Sequence, residues 1–578
     1  MDQSRLALHL EPKTGWTGPK DRSGPWPLHD RWTSNIMQST NKPLEDQSSV
    51  LQSNVLAKFP LNVRKVLISE ITHTLLQAHD PNLLSSITHV KWVMEAIGQG
   101  FALPLEDMSI TANSKELYSQ WLFEPNSRPA AIRNATGQQE EQEFWQIIFH
   151  HYSLLFQPRY PTPASNTSTP TTPGFPASNN QIATNTYLQS HIELCKGVLI
   201  VLTMAGRTLG PQFSEETWLV LLKVVLGITD CLLHEPIATM TSDGNMDKKT
   251  AMAMADELCE HLLRVLFELW LRSKIRKVEM WDIFKKCFNQ WTHRHQALLQ
   301  WNATTLALTQ RVVRLLYGPK EGADMVNVTV GGYNVGLDLP TDFVYYAWHR
   351  MVYLINNPCT LPSSNFSSAI SGIGKIIEAL QIIGQPTIHK SSQDLQQDTG
   401  CSFFAMPDGN TILHMFGPWL FQACMMSRPD AGTQLGRAAA FGILCRIFCL
   451  PQKREKFLRN YVTQFYLALI EGLRVDSCLP TILMNTTSLF ATELEGVRMM
   501  VPDFVVGIKM ILPKLAPGFR VDVPLEDLRL AAIRVTSTIM CLPNHFEKVP
   551  MRENWNIGLH QNGDKLVSND DEIMVNEL

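Results

Sequence analysis

Long basic tracts, a pair-spaced cysteine framework, glycine-rich phosphate loops and unbroken apolar runs are all missing from this sequence. Its 50 Lys and Arg are set against 54 Asp and Glu, and basic and aromatic residues nowhere interleave in a stripe. Nucleic-acid affinity comes chiefly from neutralising phosphates, so nucleic acid is excluded as the expected partner. The longest apolar stretch, Trp218–Leu233, is interrupted by Lys223 and Asp230 and does not read as a membrane span. Residues 1–50 are polar and rich in Pro, Gly, Ser and Asp, without the apolar centre of a secretory leader. The eleven cysteines are scattered, most of them in helical patterns (Cys195, Cys231, Cys259, Cys287, Cys445, Cys541). That usage implies reduced, buried thiols and a cytoplasmic location.

Signatures of chemistry are equally scarce. Gly372-Ile373-Gly374-Lys375-Ile376 approaches a nucleotide-binding loop, but Ala369 replaces its first glycine and Ile376 its metal-binding hydroxyl. It lies in a helical pattern, which favours packing. His234-Glu235 is followed by Pro236, and Ala238 stands where a zinc helix needs its second histidine. Cys445 and Cys449 are one helical turn apart on an apolar helix, which again reads as core. His150-His151 and the pair His293/His295 have no accompanying ligand set and read as solvated or capping residues. No nucleophile elbow is found. The expected catalytic, cofactor-binding and metal-binding residues are therefore none. Trp92, Trp121, Trp145, Trp218, Trp270, Trp281, Trp291, Trp301, Trp348 and Trp419 recur along the helices. They are expected in packing between helices, with a minority as exposed anchors.

What is abundant is helical periodicity. Between Leu435 and Leu542 five helices follow one another, and the fifth (Leu525, Leu528, Ala532, Val535, Ile539, Leu542) steps by threes and fours without a break. The first, Gly436–Leu450, is apolar all round apart from Arg437 and Arg446, so it needs neighbours on most sides. An acid at Gly442 is expected to find no partner there. The first, third and fifth helices begin near 435, 480 and 525, an interval within the roughly 40–47 residues of a HEAT or armadillo unit. Such units bury their stripes by stacking. The predicted fold is all-α, an α-solenoid of HEAT/armadillo-like helix pairs over 57–545.

Upstream, helices are predicted at 60–75, 81–98, 113–123, 139–156, 187–205, 214–233 (capped by Ser214), 248–272, 277–291, 294–317, 341–356, 365–382 and 410–426. One hairpin is expected at 326–337, where Val326, Val328 and Val330 alternate up to Gly331-Gly332 and Tyr333, Val335 and Leu337 follow. Residues 1–56 and an acidic tail, 546–578, are expected to be disordered. Flexible loops are expected at 158–186, rich in Ser, Thr and Pro, and at 385–409. Thr162, Thr169 and Thr172 each precede proline and are candidate phosphorylation sites.

Several blocks resemble a known family. Lys91-Trp92-Val93-Met94-Glu95-Ala96-Ile97 with Leu103-Pro104-Leu105, Trp291 with His293-Arg294-His295, Leu308 through Pro319, Phe416 through Phe421, and Gly436 through Cys449 are similar, in the same order, to the N-terminal region of Ral GTPase-activating protein β subunits. The resemblance runs from about Lys91 to Phe546. It implies a non-catalytic subunit that pairs as a heterodimer with a catalytic GAP α subunit and, through it, acts on a Ral-type small GTPase. In that family the GAP fold lies at the far C-terminal end, which this sequence does not include, so no catalytic residue carries over. The expected role is a scaffold for the catalytic partner. The alternative is a general armadillo-like adaptor that binds peptide segments.

Overall fold

The computed structural model describes residues 59–77, 83–135, 138–157, 178–234, 245–317, 325–382, 407–450, 452, 455–492, 494–513, 516–541, 550–552 and 572–574. The fold is all-α and solenoid-like. It divides into two compact units, Met1–Trp291 with Met325–Ala347, and Thr292–Asp324 with Trp348–Leu578.

The first unit contains α1 (Leu61–Gln77), α2 (Ile87–Gly100), α3 (Met108–Phe123), the short α4 (Ala130–Arg133), α5 (Gln138–Ser153), α6 (Ser178–Thr208), α7 (Glu215–Leu233), α8 (Asn245–Arg272) and α9 (Val278–Trp291). Two rows form. Helices α1, α3, α6 and α8 pack each on the next, and so do α2, α5, α7 and α9. Contacts between α1 and α2, α3 and α5, and α7 and α8 join the rows. Each helix therefore buries its stripe against the next helix of its row, which is how stacked repeats share one core.

The second unit repeats the scheme. Helices α10 (His295–Tyr317), α12 (Ser363–Ile382), α14 (Ala431–Phe448), α16 (Leu479–Asn485) and α18 (Leu525–Cys541) form one row, and α13 (Gly409–Cys424), α15 (Arg459–Leu473) and α17 (Val501–Lys509) the other. Helix α11 runs over Thr341–Val352. Helices α14, α16 and α18 start at 431, 479 and 525, against the starts near 435, 480 and 525 expected from the sequence.

Helix α14 is the best-covered element of its unit, touching α12, α13, α15 and α16. Ala440, Phe441, Leu444, Cys445, Ile447 and Phe448 are fully buried. Burying side chains of the Leu, Ile and Phe size contributes roughly 1.5–3 kcal/mol each. Phe448 stacks on Phe465 of α15 at 4.1 Å between ring centroids. Gly436 lets α12 close in: a Cβ there would stand 2.3 Å from Phe366 Cε1. Asp430 caps the helix by accepting from the Thr433 N–H at 2.8 Å. Ser214 caps α7 as predicted, accepting from the Thr217 N–H at 3.1 Å.

The hairpin forms where the alternation predicts it. Strands β1 (Met325–Val330) and β2 (Tyr333–Asp338) pair antiparallel in unbroken register, with Val326 opposite Leu337 and Val328 opposite Val335. Those four side chains are buried. Gly331 and Gly332 both have positive φ, +56° and +80°, as a turn matching the strand twist requires.

Several expectations need correction. The helix predicted from Pro81 starts only at Ile87, because Leu84 is left-handed (φ +58°). The carbonyls of Leu83 and Leu84 instead accept from the Ala130 and Ala131 N–H groups at 3.1 and 3.0 Å, tying the segment to α4. Helix α6 begins at Ser178, inside the stretch expected as a loop to 186. A second, three-residue ladder pairs β3 (Pro550–Arg552) with β4 (Glu572–Met574), within the tail expected to be unstructured and beyond the one hairpin expected. The segment 1–56, Thr162, Thr169, Thr172 and most of the 385–409 loop lie outside the described residues. Among the described residues one helical stretch, Thr186–Thr208, is long and apolar enough to cross a membrane by length and composition, and half of it is buried inside the protein.

Candidate interaction surface

The polar chemistry of the first unit is concentrated where the hairpin lies on α6 and α8. Glu260, Arg264, Glu268 and Arg272 follow one another at four-residue steps, so they stand in line along one face of α8. Glu268 is buried and gathers two guanidinium groups. Arg207 of α6 donates Nε and Nη2 to its two oxygens at 2.6 and 2.8 Å, and Arg272 Nε donates at 2.7 Å. The hydrogen bonds to Glu268 raise the Arg207 pKa, which keeps this cation charged at every accessible pH.

The same arginines hold the hairpin. Arg207 Nη2 donates to the Tyr333 hydroxyl at 2.8 Å, and the Arg264 guanidinium lies 4.4 Å from the centre of that ring. Arg272 Nη2 donates to the Gly336 carbonyl at 3.2 Å. Glu260 pairs with Arg264 at 2.6 Å and sits under the turn, where a Cβ on Gly331 would come within 2.8 Å of it. A carboxylate as buried as Glu268 is tolerated because it is bidentate with Arg207 on one side and bonded again to Arg272 on the other.

A second polar cluster lies between α2, α3 and α5. Tyr118 donates its hydroxyl proton to the Met94 carbonyl at 3.0 Å, so His151 Nδ1–H is the donor in its 2.8 Å contact with the Tyr118 oxygen. Burial, and then the neighbouring His150, lower the His151 pKa to about 3, so the ring is neutral. Its Nε2 faces Glu95 at 3.9 Å, whose own carboxyl is pushed up by burial. A Cβ on Gly98 would strike the imidazole at 2.8 Å. His150 and His151 are thus core residues, not the solvated or capping pair that the sequence suggested. His295, exposed at the start of α10, does match that reading.

The other singled-out residues are in packing. Gly372 and Gly374 lie on opposite sides of α12. A Cβ on the first would overlap Asn302 of α10 at 1.9 Å, and on the second would press Ile443 of α14 at 3.1 Å. Cys445 is buried, and burial pushes its thiol well up. Cys449 donates to the Asn485 carbonyl at 3.5 Å and is held near 11 by burial. His234 is half-buried beside Asp230, which also accepts from Trp291 Nε1 at 3.0 Å. Of the tryptophans, Trp121, Trp145, Trp218, Trp270, Trp281, Trp291 and Trp301 are buried, Trp348 and Trp419 half-buried, and Trp92 exposed. Among the described residues no cluster of His, Cys, Asp and Glu has the arrangement to hold a metal ion. The bracket around Glu268 escaped sequence reasoning because Arg207 and Tyr333 are 61 and 65 residues from it. The four-residue charge ladder on α8 was the available signal.

Comparison with known proteins places these elements in context. Residues 187–319 match the family described as the RALGAPB N-terminal domain. The chain is 24% identical over 658 residues to the human Ral GTPase-activating protein subunit beta, covering 86% of this chain and 41% of that protein. It is 30% identical over 373 residues to a Rap-GAP domain-containing protein of Dictyostelium discoideum, covering 64% of this chain and 20% of the other. A rat Ral GTPase-activating protein subunit alpha-2 matches at 22% over 292 residues, 43% of this chain and 15% of that protein. The chain spans less than half the length of these curated relatives. The resemblance read from the sequence is therefore found: the chain is similar to Ral GTPase-activating protein β subunits over most of its length.

Proposed function

We propose that this chain is a non-catalytic, cytoplasmic scaffold of a Ral-type GTPase-activating complex, forming a heterodimer with a catalytic α subunit and stabilising it. The observation that carries the reading is the ordered likeness to β subunits over 86% of the chain, with the family's N-terminal domain falling on 187–319. Two features of the fold suit the role. Within each unit, stacked helix rows offer a surface on which a partner can be held. Among the described residues seven cysteines are buried thiols, which suits a reducing compartment.

GTPase activators work by placing a polar side chain that orients water or stabilises charge on the transferring phosphate, and that group needs a rigid mount. The scaffold supplies the mount and the α subunit the group. The test is a single-turnover assay on a Ral-type GTPase. Purified chain alone is expected to leave the intrinsic hydrolysis rate unchanged. Co-expression with a Ral GTPase-activating protein α subunit is expected to yield a co-purifying pair with a raised α-subunit melting temperature. Hundredfold stimulation by the chain alone, or an α subunit that neither co-purifies nor gains stability, would overturn the proposal.

A further inference from the structure

Among the described residues the hairpin leaves one strand edge open, and we infer that β1 is a docking edge for an extended peptide segment of a partner protein, added as a third strand. This inference goes beyond the GAP-complex reading and stands independently of it.

The argument starts from hydrogen-bond parity. A two-residue turn closes on a hydrogen-bonded pair, here Val330 with Tyr333, and pairs alternate from there. Val328 with Val335 and Val326 with Leu337 bond inward. Asn327 opposite Gly336, and Thr329 opposite Asn334, therefore turn their N–H and C=O groups outward, as does Met325 opposite Asp338. The Gly336 carbonyl confirms the parity, since Arg272 reaches it from outside the ladder.

The two edges are treated differently. On β2 the outward Gly336 carbonyl is bonded to α8. On β1, among the described residues, no backbone group of Met325, Asn327 or Thr329 bonds to anything beyond the hairpin. Folded proteins guard such edges with lysine, proline, a bulge or a cover. The strand Met-Val-Asn-Val-Thr-Val has no charge and no proline, its register has no bulge, and Met325, Asn327 and Thr329 are exposed.

The occupant follows from the chemistry of the edge. Backbone groups bind backbone, so the ligand is an extended strand of about six residues. Side chains of a third strand share faces with those of β1. Those level with Val326 and Val328 point toward the buried side and are apolar or β-branched. Those level with Asn327 and Thr329 face water and are polar. A second copy of the chain is disfavoured as occupant, because pairing two six-residue edges falls well short of the roughly 1,200 Å² that stable association needs. A flexible segment has no such requirement.

The test uses the full chain and a fluorescent peptide of alternating Thr and Val, six residues long and flanked by lysines for solubility. Fluorescence anisotropy is expected to show saturable binding. The same peptide N-methylated at alternate residues, which removes the donors of one edge, is expected not to bind. Asn327→Pro removes an outward N–H without breaking an inward bond, and should weaken binding by about tenfold or more. Asn334→Pro, the matching change on the other edge, should leave it within about twofold. The proposal is overturned if the parent shows no saturation, if the N-methylated peptide binds equally well, or if both proline variants bind alike.

Discussion

Replacing Gly436 by alanine sets two effects of opposite sign against each other. In a helix interior, alanine is favoured over glycine by about 1 kcal/mol. Against this, the new Cβ would lie 2.3 and 2.6 Å from Phe366 Cε1 and Cδ1 and 3.1 Å from the Ser367 Cα. Phe366 is itself buried in the first turn of α12, so its ring has no free space to swing into. The Ser367 Cα belongs to the backbone and moves only if α12 moves. Overpacking of this kind typically costs 1–3 kcal/mol, and forcing two helices apart sits at the upper end. The net expectation is a loss of about 1–2 kcal/mol, or a fall of about 3–8 °C in the melting temperature of a unit this size. Gly197→Ala on α6 is the matched control, because its nearest neighbour would be the flexible end of Lys115 at 3.5 Å. That variant keeps the propensity gain and should melt at or above the parent. Calorimetry or circular dichroism on both variants decides the matter. If Gly436→Ala melts with or above Gly197→Ala, then α12 and α14 are not in rigid contact and the reading of α14 as a packed centre is wrong.

Three further outcomes are expected. Gly442→Asp should cost about 1–3 kcal/mol from overlap with the Thr481 methyl at 2.9 Å, less than an unpartnered buried charge would, because Arg446 and Asn485 are within reach of the new carboxylate. Thr463→Asp, exposed on α15, should melt within a degree of the parent, and equal losses for the two would refute the packing argument. Arg207→Ala should cost about 1–3 kcal/mol by leaving buried Glu268 with Arg272 alone, and hydrogen exchange should speed up in 325–338 before it does in α14. Unchanged hairpin exchange would mean that Arg207 does not hold it. Burial raises the Asp503 carboxyl to about 6, against an opposing Arg474, so the folded state binds this proton more tightly than the unfolded chain does. Its contribution therefore turns unfavourable as pH rises from about 4 to 6, and Asp503→Asn should gain about 1 kcal/mol at pH 7.5 and almost nothing at pH 4. A gain that does not vary with pH would rule this out.

The helices were legible because their cores lie on single stripes: Leu528, Ala532, Val535 and Ile539 of α18 could be read without knowing their neighbours. The hairpin was legible for the matching reason, a two-residue period around Gly331-Gly332. Leu84 was not, since a left-handed leucine is held by the distant amides of Ala130 and Ala131 and leaves no local mark. His150 and His151 misled because adjacent histidines look polar, while the seat of His151 is made by Tyr118 on another helix and by the absent side chain of Gly98. The Glu268 bracket combines residues from three separate segments, and a sequence pattern sees only the part on α8.

Because each helix packs on the next one in its row, much of the core is made by helices that are not consecutive in sequence. Length can therefore be gained or lost in exposed connections without changing those helix contacts. The comparison with the human β subunit leaves room for such changes: it runs over 658 residues while drawing on 86% of a 578-residue chain, so many of its positions are gaps. Insertions and deletions in this lineage should accumulate in exposed connections, while α14 and its neighbours drift only by substitution. In evolutionary terms the stack is a frame that fixes the order of its parts and leaves the spacing between them free to change.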